Sequence, residues 1–153
     1  MSSIRPLVAG VLGLVLAVGI AGCASAPPEM PSGPTLYQRL GGREGIKGVV
    51  DDFVANMAGD PRVNGRFKGL DAGRVAKLQT NLADQICDAT GGPCAYLGRD
   101  MKTAHAGMGI TEAEWTATVE DLVKALDKFK VGSKEQQELL AILGPMKKDI
   151  VGQ

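Results

Sequence analysis

The sequence predicts an all-α domain, on three observations. From Thr35 onward apolar residues recur every three or four positions, which gathers them on one face of a helix. No alternating period-two segment of convincing length appears, so strands have no support. Capping patterns and glycine pairs bound the periodic stretches. The chain has 153 residues, enough for one domain with its own core. With one Trp, two Tyr and three Phe, that core must rest on Leu, Ile, Val, Met and Ala. Lys plus Arg and Asp plus Glu balance at 17 each. No basic stripe is present, so nucleic acid as a partner has no electrostatic support.

Residues 1–22 stand apart from the domain. Arg5 gives a positive start, and Leu7 to Ile20 is an apolar run. That run is short of the roughly 20 residues a membrane-spanning helix needs. It suits a secretory signal peptide. Its end, Ile20-Ala21-Gly22-Cys23, resembles a bacterial lipobox, in which the chain is cut before the cysteine and the cysteine is lipidated. The alternative is an uncut anchor with an incidental cysteine. A lipid on Cys23 implies a membrane-anchored lipoprotein on the periplasmic, extracytoplasmic side. Ala24 after the cysteine favours the outer membrane if the cell is Gram-negative. Residues 23–34 then read as a linker, since Pro27, Pro28, Pro31 and Pro34 favour extended chain. The folded domain is expected over 35–153.

Within it, a short helix over Leu36–Leu40 ends at Gly41-Gly42. Ile46, Val49, Val50, Phe53, Val54 and Met57 predict a second helix. Val75, Leu78, Leu82 and Ile86 predict a third, ended by Gly91-Gly92-Pro93. The stretch 91–100 has no period and predicts a loop leading into a short helix with His105, the only histidine. Trp115, Val119, Leu122, Val123, Leu126 and Phe129 predict a long helix, and Leu139, Ile142, Leu143, Met146 and Ile150 another. Thr111 with Glu114, and Ser133 with Gln136, fit capping boxes at their starts. Pro145 should bend the last helix or break a backbone bond there.

A lone histidine is ordinarily a packed or solvated side chain. A neutral imidazole nonetheless offers one nitrogen to a metal while the other donates to an acceptor. Met101 lies one turn before His105, on the same side. Cys87 and Cys94 flank the glycine pair, and two readings stand open. They form a disulfide worth about 2.5 kcal/mol in an oxidising compartment, or they are free, buried thiols. Zinc is not supported, because two cysteines and one histidine fall short of four ligands. No phosphate-binding loop, nucleophile elbow or paired-carboxylate constellation stands out.

Four strings carry a family resemblance: TLYQRLGG (Thr35–Gly42), VVDDF (Val49–Phe53), ATGGP (Ala89–Pro93) and GRDMKTAHAGMGIT (Gly98–Thr111). In order and spacing they resemble the group I truncated haemoglobins, over Thr35 to about Val151. The resemblance implies a two-over-two helical sandwich around a b-type haem (iron protoporphyrin). One helix of the fold would be reduced to an extended loop and a short helical segment. His105 matches the proximal ligand of the haem iron, and Phe67 the aromatic that packs on the haem face. Gln79 matches the distal glutamine, Val75 the distal gate four residues earlier, and Phe53 the phenylalanine beside the distal pocket. Val54 stands where the family usually has the distal tyrosine. Met101 and Met108 are candidates for contact with the porphyrin edge, or plain core methionines. Lys77 and Lys102 are candidates for pairing with the propionates. No second histidine exists, and some relatives' ligating lysine position is Leu78 here, so the iron is expected to be five-coordinate.

The function so implied is binding of oxygen or nitric oxide, in the oxygen-binding and transport class rather than an enzyme. An alternative is a nitric-oxide dioxygenase or weak peroxidase, which needs a partner reductase to return electrons to ferric iron. A further alternative is a haem-free structural lipoprotein that kept the fold.

Overall fold

The computed structural model describes residues 33–153. The signal sequence read over 1–22, Cys23 and the linker up to residue 32 lie outside the described residues.

Helix α1 (Leu36–Arg39) starts at Thr35, whose hydroxyl accepts from the Gln38 amide at 3.3 Å while the Gln38 side chain accepts from the Thr35 amide at 2.9 Å. Helix α2 (Gly42–Gly59) buries Ile46, Val49, Val50, Phe53, Val54 and Met57, one full apolar stripe. A 3-10 turn, Asn64–Phe67, leads to α3 (Ala72–Ala89), which is capped by the Asp71 carboxylate. Then follow α4 (Met101–His105), α5 (Glu112–Lys128) and α6 (Ser133–Leu143). A second 3-10 stretch covers Gly144–Asp149.

The long helix α2 packs on both α3 and α5, α1 bridges α2 and α6, and α4 rests on the C-terminal 3-10 stretch. Leu139 of α6 joins Ile46, Val49, Ile86 and Leu126 around one apolar centre. The result is two helices, α2 and α3, over two, α5 and α6. Among the described residues the only extended pairing is an isolated parallel bridge between Ile110 and Val151. None of the described helices is long and apolar enough to cross a membrane.

Two helix ends differ from expectation. The Ser133–Gln136 capping box does not form, because Gly132 takes the extended cap position and Ser133 is already helical. The Gln136 side chain is used elsewhere, its Nε2 donating to the Asp127 carboxylate at 2.8 Å and to the Val131 carbonyl at 3.0 Å. The last helix stops at Leu143, and Pro145, which has no N–H to give, opens the tighter 3-10 continuation.

Helix α3 ends at Ala89, and Gly91 just beyond it takes a φ of +81° that only glycine adopts at low cost. At Gly92 a Cβ would sit 2.5 Å from the Cys87 sulfur and 2.6 Å from the Tyr37 ring. The missing side chain lets the loop close on both. There Cys87 and Cys94 are joined by a disulfide, with Cα atoms 5.8 Å apart.

Candidate functional site

Helix α4 is a single turn, and its geometry is set at both ends. The Asp100 carboxylate accepts from the Thr103 amide at 2.9 Å and starts it. The Met108 amide donates to the His105 carbonyl at 3.0 Å and closes it. His105 is half-buried. Its Nδ1 lies 2.8 Å from the Met101 carbonyl oxygen, which can only accept, so Nδ1 carries the proton. In the neutral ring the lone pair is then on Nε2, on the far side of the ring. A ring fixed in orientation and tautomer by a backbone carbonyl has the supporting bond that metal-ligating histidines make.

Helix α3 supplies the apolar wall. Ala83, Ile86 and Cys87 near its end are buried. Val75, Leu78 and Leu82, earlier on the helix, are only half-buried, although they pack at the edge of the same core. Phe67, on the preceding 3-10 turn, is likewise half-buried against that edge. Gln79 is half-buried one turn after Val75 and one before Ala83. From α2, Phe53 at 7% and Val54 at 2% exposure belong to the core behind this wall.

Met101 joins α4 to α3. The Gln85 amide nitrogen lies 3.6 Å from the Met101 sulfur and 3.5 Å from that of Met146, tying α3, α4 and the C-terminal 3-10 stretch together. Met108 is set apart, 36% exposed on the turn after α4. Lys77 and Lys102 are exposed.

One neutral imidazole with its lone pair directed away from its own helix suits a metal that takes a single nitrogen from the protein. Half-buried Phe67, Val75, Leu78, Leu82 and Met101 suit a large apolar ring system. The residues fit haem.

Two residues near the site were not singled out from sequence. Arg66 donates through Nε and Nη2 to both carboxylate oxygens of Glu114, at 2.7 and 2.9 Å. That guanidinium, with the Thr111 amide, holds the Glu114 carboxyl at about 2. The capping pattern at Thr111 pointed to Glu114 as a cap, but no local signal named Arg66. The other is Gln85, whose partners come from two distant elements.

A helical sandwich with one imidazole on a short helix tied to α3 through Met101 and Gln85 has the parts of a globin. The bacterial-like globin family model matches residues 35–151, and the chain belongs to that family, among the group 1 truncated haemoglobins. It is 30% identical over 118 residues to a group 1 truncated haemoglobin of Tetrahymena pyriformis, covering 77% of this chain and 95% of the relative. With that of Mycolicibacterium paratuberculosis it shares 31% over 116 residues, 76% of this chain and 83% of the relative. The crystal structure of the T. pyriformis truncated haemoglobin in its Fe(III) form is similar with a TM-score of 0.73 at 28% identity, covering 78% of this chain and 100% of that one. The 2/2 haemoglobin of a Synechococcus species, solved in the cyanomet state with covalently attached haem, is similar with a TM-score of 0.71 at 28% identity, over 78% and 100% of the two chains.

Proposed function

We propose that this domain holds a b-type haem through His105 and binds a diatomic gas, oxygen or nitric oxide, at a five-coordinate iron. The observation that carries the reading is the Nδ1 bond to the Met101 carbonyl, which leaves Nε2 as the ligand. When bound, haem supplies an iron that takes one nitrogen from the protein and keeps a position open for a gas. The chain's own residues do the rest. Phe67, Val75, Leu78 and Leu82 exclude water from the ring faces. Gln79 supplies the polar donor on the distal side. Val54 supplies none, so the bound gas is held less tightly than where a tyrosine donates. Lys77 and Lys102 are exposed and suit the propionates at the rim.

The test is the absorption spectrum of the protein reconstituted with haemin, oxidised, reduced and with carbon monoxide, beside His105→Ala. The expected outcome is a stoichiometric Soret band with a carbon monoxide shift in the native chain, and loss of that band's normal form in the variant. Native protein that takes up no haem overturns the reading.

An address completes the proposal: Cys23 carries lipid and holds the globin at a membrane, facing away from the cytoplasm. The lipobox residues Ile20 to Cys23 support this, as does the Cys87–Cys94 bond, since disulfides persist in oxidising compartments. Cells fed labelled fatty acid should label the native chain and not Cys23→Ser. Equal labelling, or none in either, would remove the anchor and leave the globin assignment intact.

A further inference from the structure

Arg66 stands next to Phe67, yet its side chain serves a different part of the molecule. Besides Glu114, its guanidinium donates to the Met108 carbonyl at 2.6 Å through Nη1 and to the Gly109 carbonyl at 3.3 Å through Nη2. Both carbonyls belong to the turn that follows His105. That turn has little structure of its own. Gly107 and Gly109 both have left-handed φ, +76° and +58°. Its other ties are the Gly109 amide to the Gln153 carbonyl at 2.6 Å and the Gly152 amide to the Ile110 carbonyl at 2.9 Å. Among the described residues, Arg66 is therefore the side chain that fastens the turn to the body of the domain. Glu114 completes the clamp. It holds the guanidinium bidentately, which fixes a plane as well as a position. It also accepts from the Thr111 amide at 2.8 Å and so belongs to the start of α5.

We infer that Arg66 is a positioning residue that sets two walls of the ligand site together: the Phe67 turn on one side and the His105 turn on the other. The inference rests on the haem reading above. A single fork bonded to Met108, Gly109 and Glu114 couples the position of Phe67 to the seating of the imidazole. Loosening it lets the His105 turn move while α4 keeps its own Asp100 cap and its Nδ1 bond to Met101.

The experiment compares native protein, Arg66→Ala, Arg66→Lys and Glu114→Gln, each loaded with haemin. It reads haem transfer to an acceptor apoprotein and the iron–histidine stretching band of the reduced form. Arg66→Ala is expected to lose haem about ten-fold faster, the order seen when the support of a metal ligand is removed, with a shifted or broadened band. Arg66→Lys keeps the charge and one donor direction, and should recover part of both. Glu114→Gln leaves the two carbonyl contacts in place and should be milder than Arg66→Ala. If Arg66→Ala leaves haem loss and the band as in native protein, the inference falls while the haem reading stands. An equal drop in melting temperature of apo and haem-loaded Arg66→Ala, with the band unmoved, assigns a merely structural role and also overturns it. Native protein that takes up no haem removes both.

Discussion

Val54 is buried to 2% exposure in α2, and its methyl groups cannot donate to a bound gas. A hydrogen bond to a partly charged ligand is worth roughly 1.5–3 kcal/mol, about ten- to a hundred-fold in affinity. Val54→Tyr should therefore slow oxygen dissociation by about that factor, as followed by stopped-flow displacement with carbon monoxide. A rate no slower than native would sink the distal assignment of position 54. Gln79 is the complementary case. It sits half-buried on α3 between Val75 and Ala83, and on the proposed function Gln79→Leu should speed oxygen loss by removing the remaining donor. Their candidacy for the distal side came from the family strings alone, since a helical stripe does not distinguish a core valine from one beside a ligand. His105 was legible as a candidate through the string Gly98–Thr111 around it, since a lone histidine is ordinarily packed or solvated. Its tautomer was not, because that depends on the direction of the Met101 carbonyl.

At the scale of the element, helix ends carry the testable energetics. The Thr111 hydroxyl accepts from the Glu114 amide at 3.2 Å and starts α5. Thr111→Ala should cost about 1 kcal/mol in urea unfolding, the usual worth of an N-cap side chain. The Cys87–Cys94 bond closes a short loop, with a sequence separation of 7. Cys87→Ser with Cys94→Ser should lower stability by about 2.5 kcal/mol, and reductant should do the same to native protein and nothing further to the variant. Helix interiors were readable because a 3.6-residue period writes itself into the apolar pattern, as Ile46 to Met57 shows. The start of α6 was not. Ser133 and Gln136 have the right types at the right spacing, but Gln136 is drawn away by Asp127 and the Val131 carbonyl. A local signature loses there to partners supplied by the tertiary fold.

For the whole molecule, carboxylates bound by arginines set the response to acid. Arg66 holds Glu114 down at about 2 from a usual value near 4.5, and Arg62 holds Asp60 at about 2 from near 3.8. Both values are depressed in the folded chain. Their contribution is thus present above the unfolded values and is lost as pH falls through about 4.5 toward 2. Melting temperature measured from pH 6 to pH 2 should fall across that window. Glu114→Gln should flatten part of the fall, and an unchanged profile would contradict the Arg66–Glu114 pairing. The two-over-two arrangement was legible through the family resemblance of the matching strings; the stripes alone gave the helices and their buried faces. The long-range clamps did not follow. Arg66 meets Met108 and Glu114 across separations of 42 and 48 residues, and no spacing rule reaches so far.

The paired sulfurs at Gln85 have a chemical consequence. Met101 and Met146 both face one amide donor where three elements meet, one of them the histidine helix. A thioether is a weak acceptor, but its sulfoxide is a strong and bulkier one. Peroxide would turn this soft joint into a polar wedge beneath α4. Mild oxidation should therefore loosen haem before it unfolds the domain, and Met101→Leu with Met146→Leu should make haem retention resistant to the treatment, as peptide mass spectra and Soret absorbance would record together.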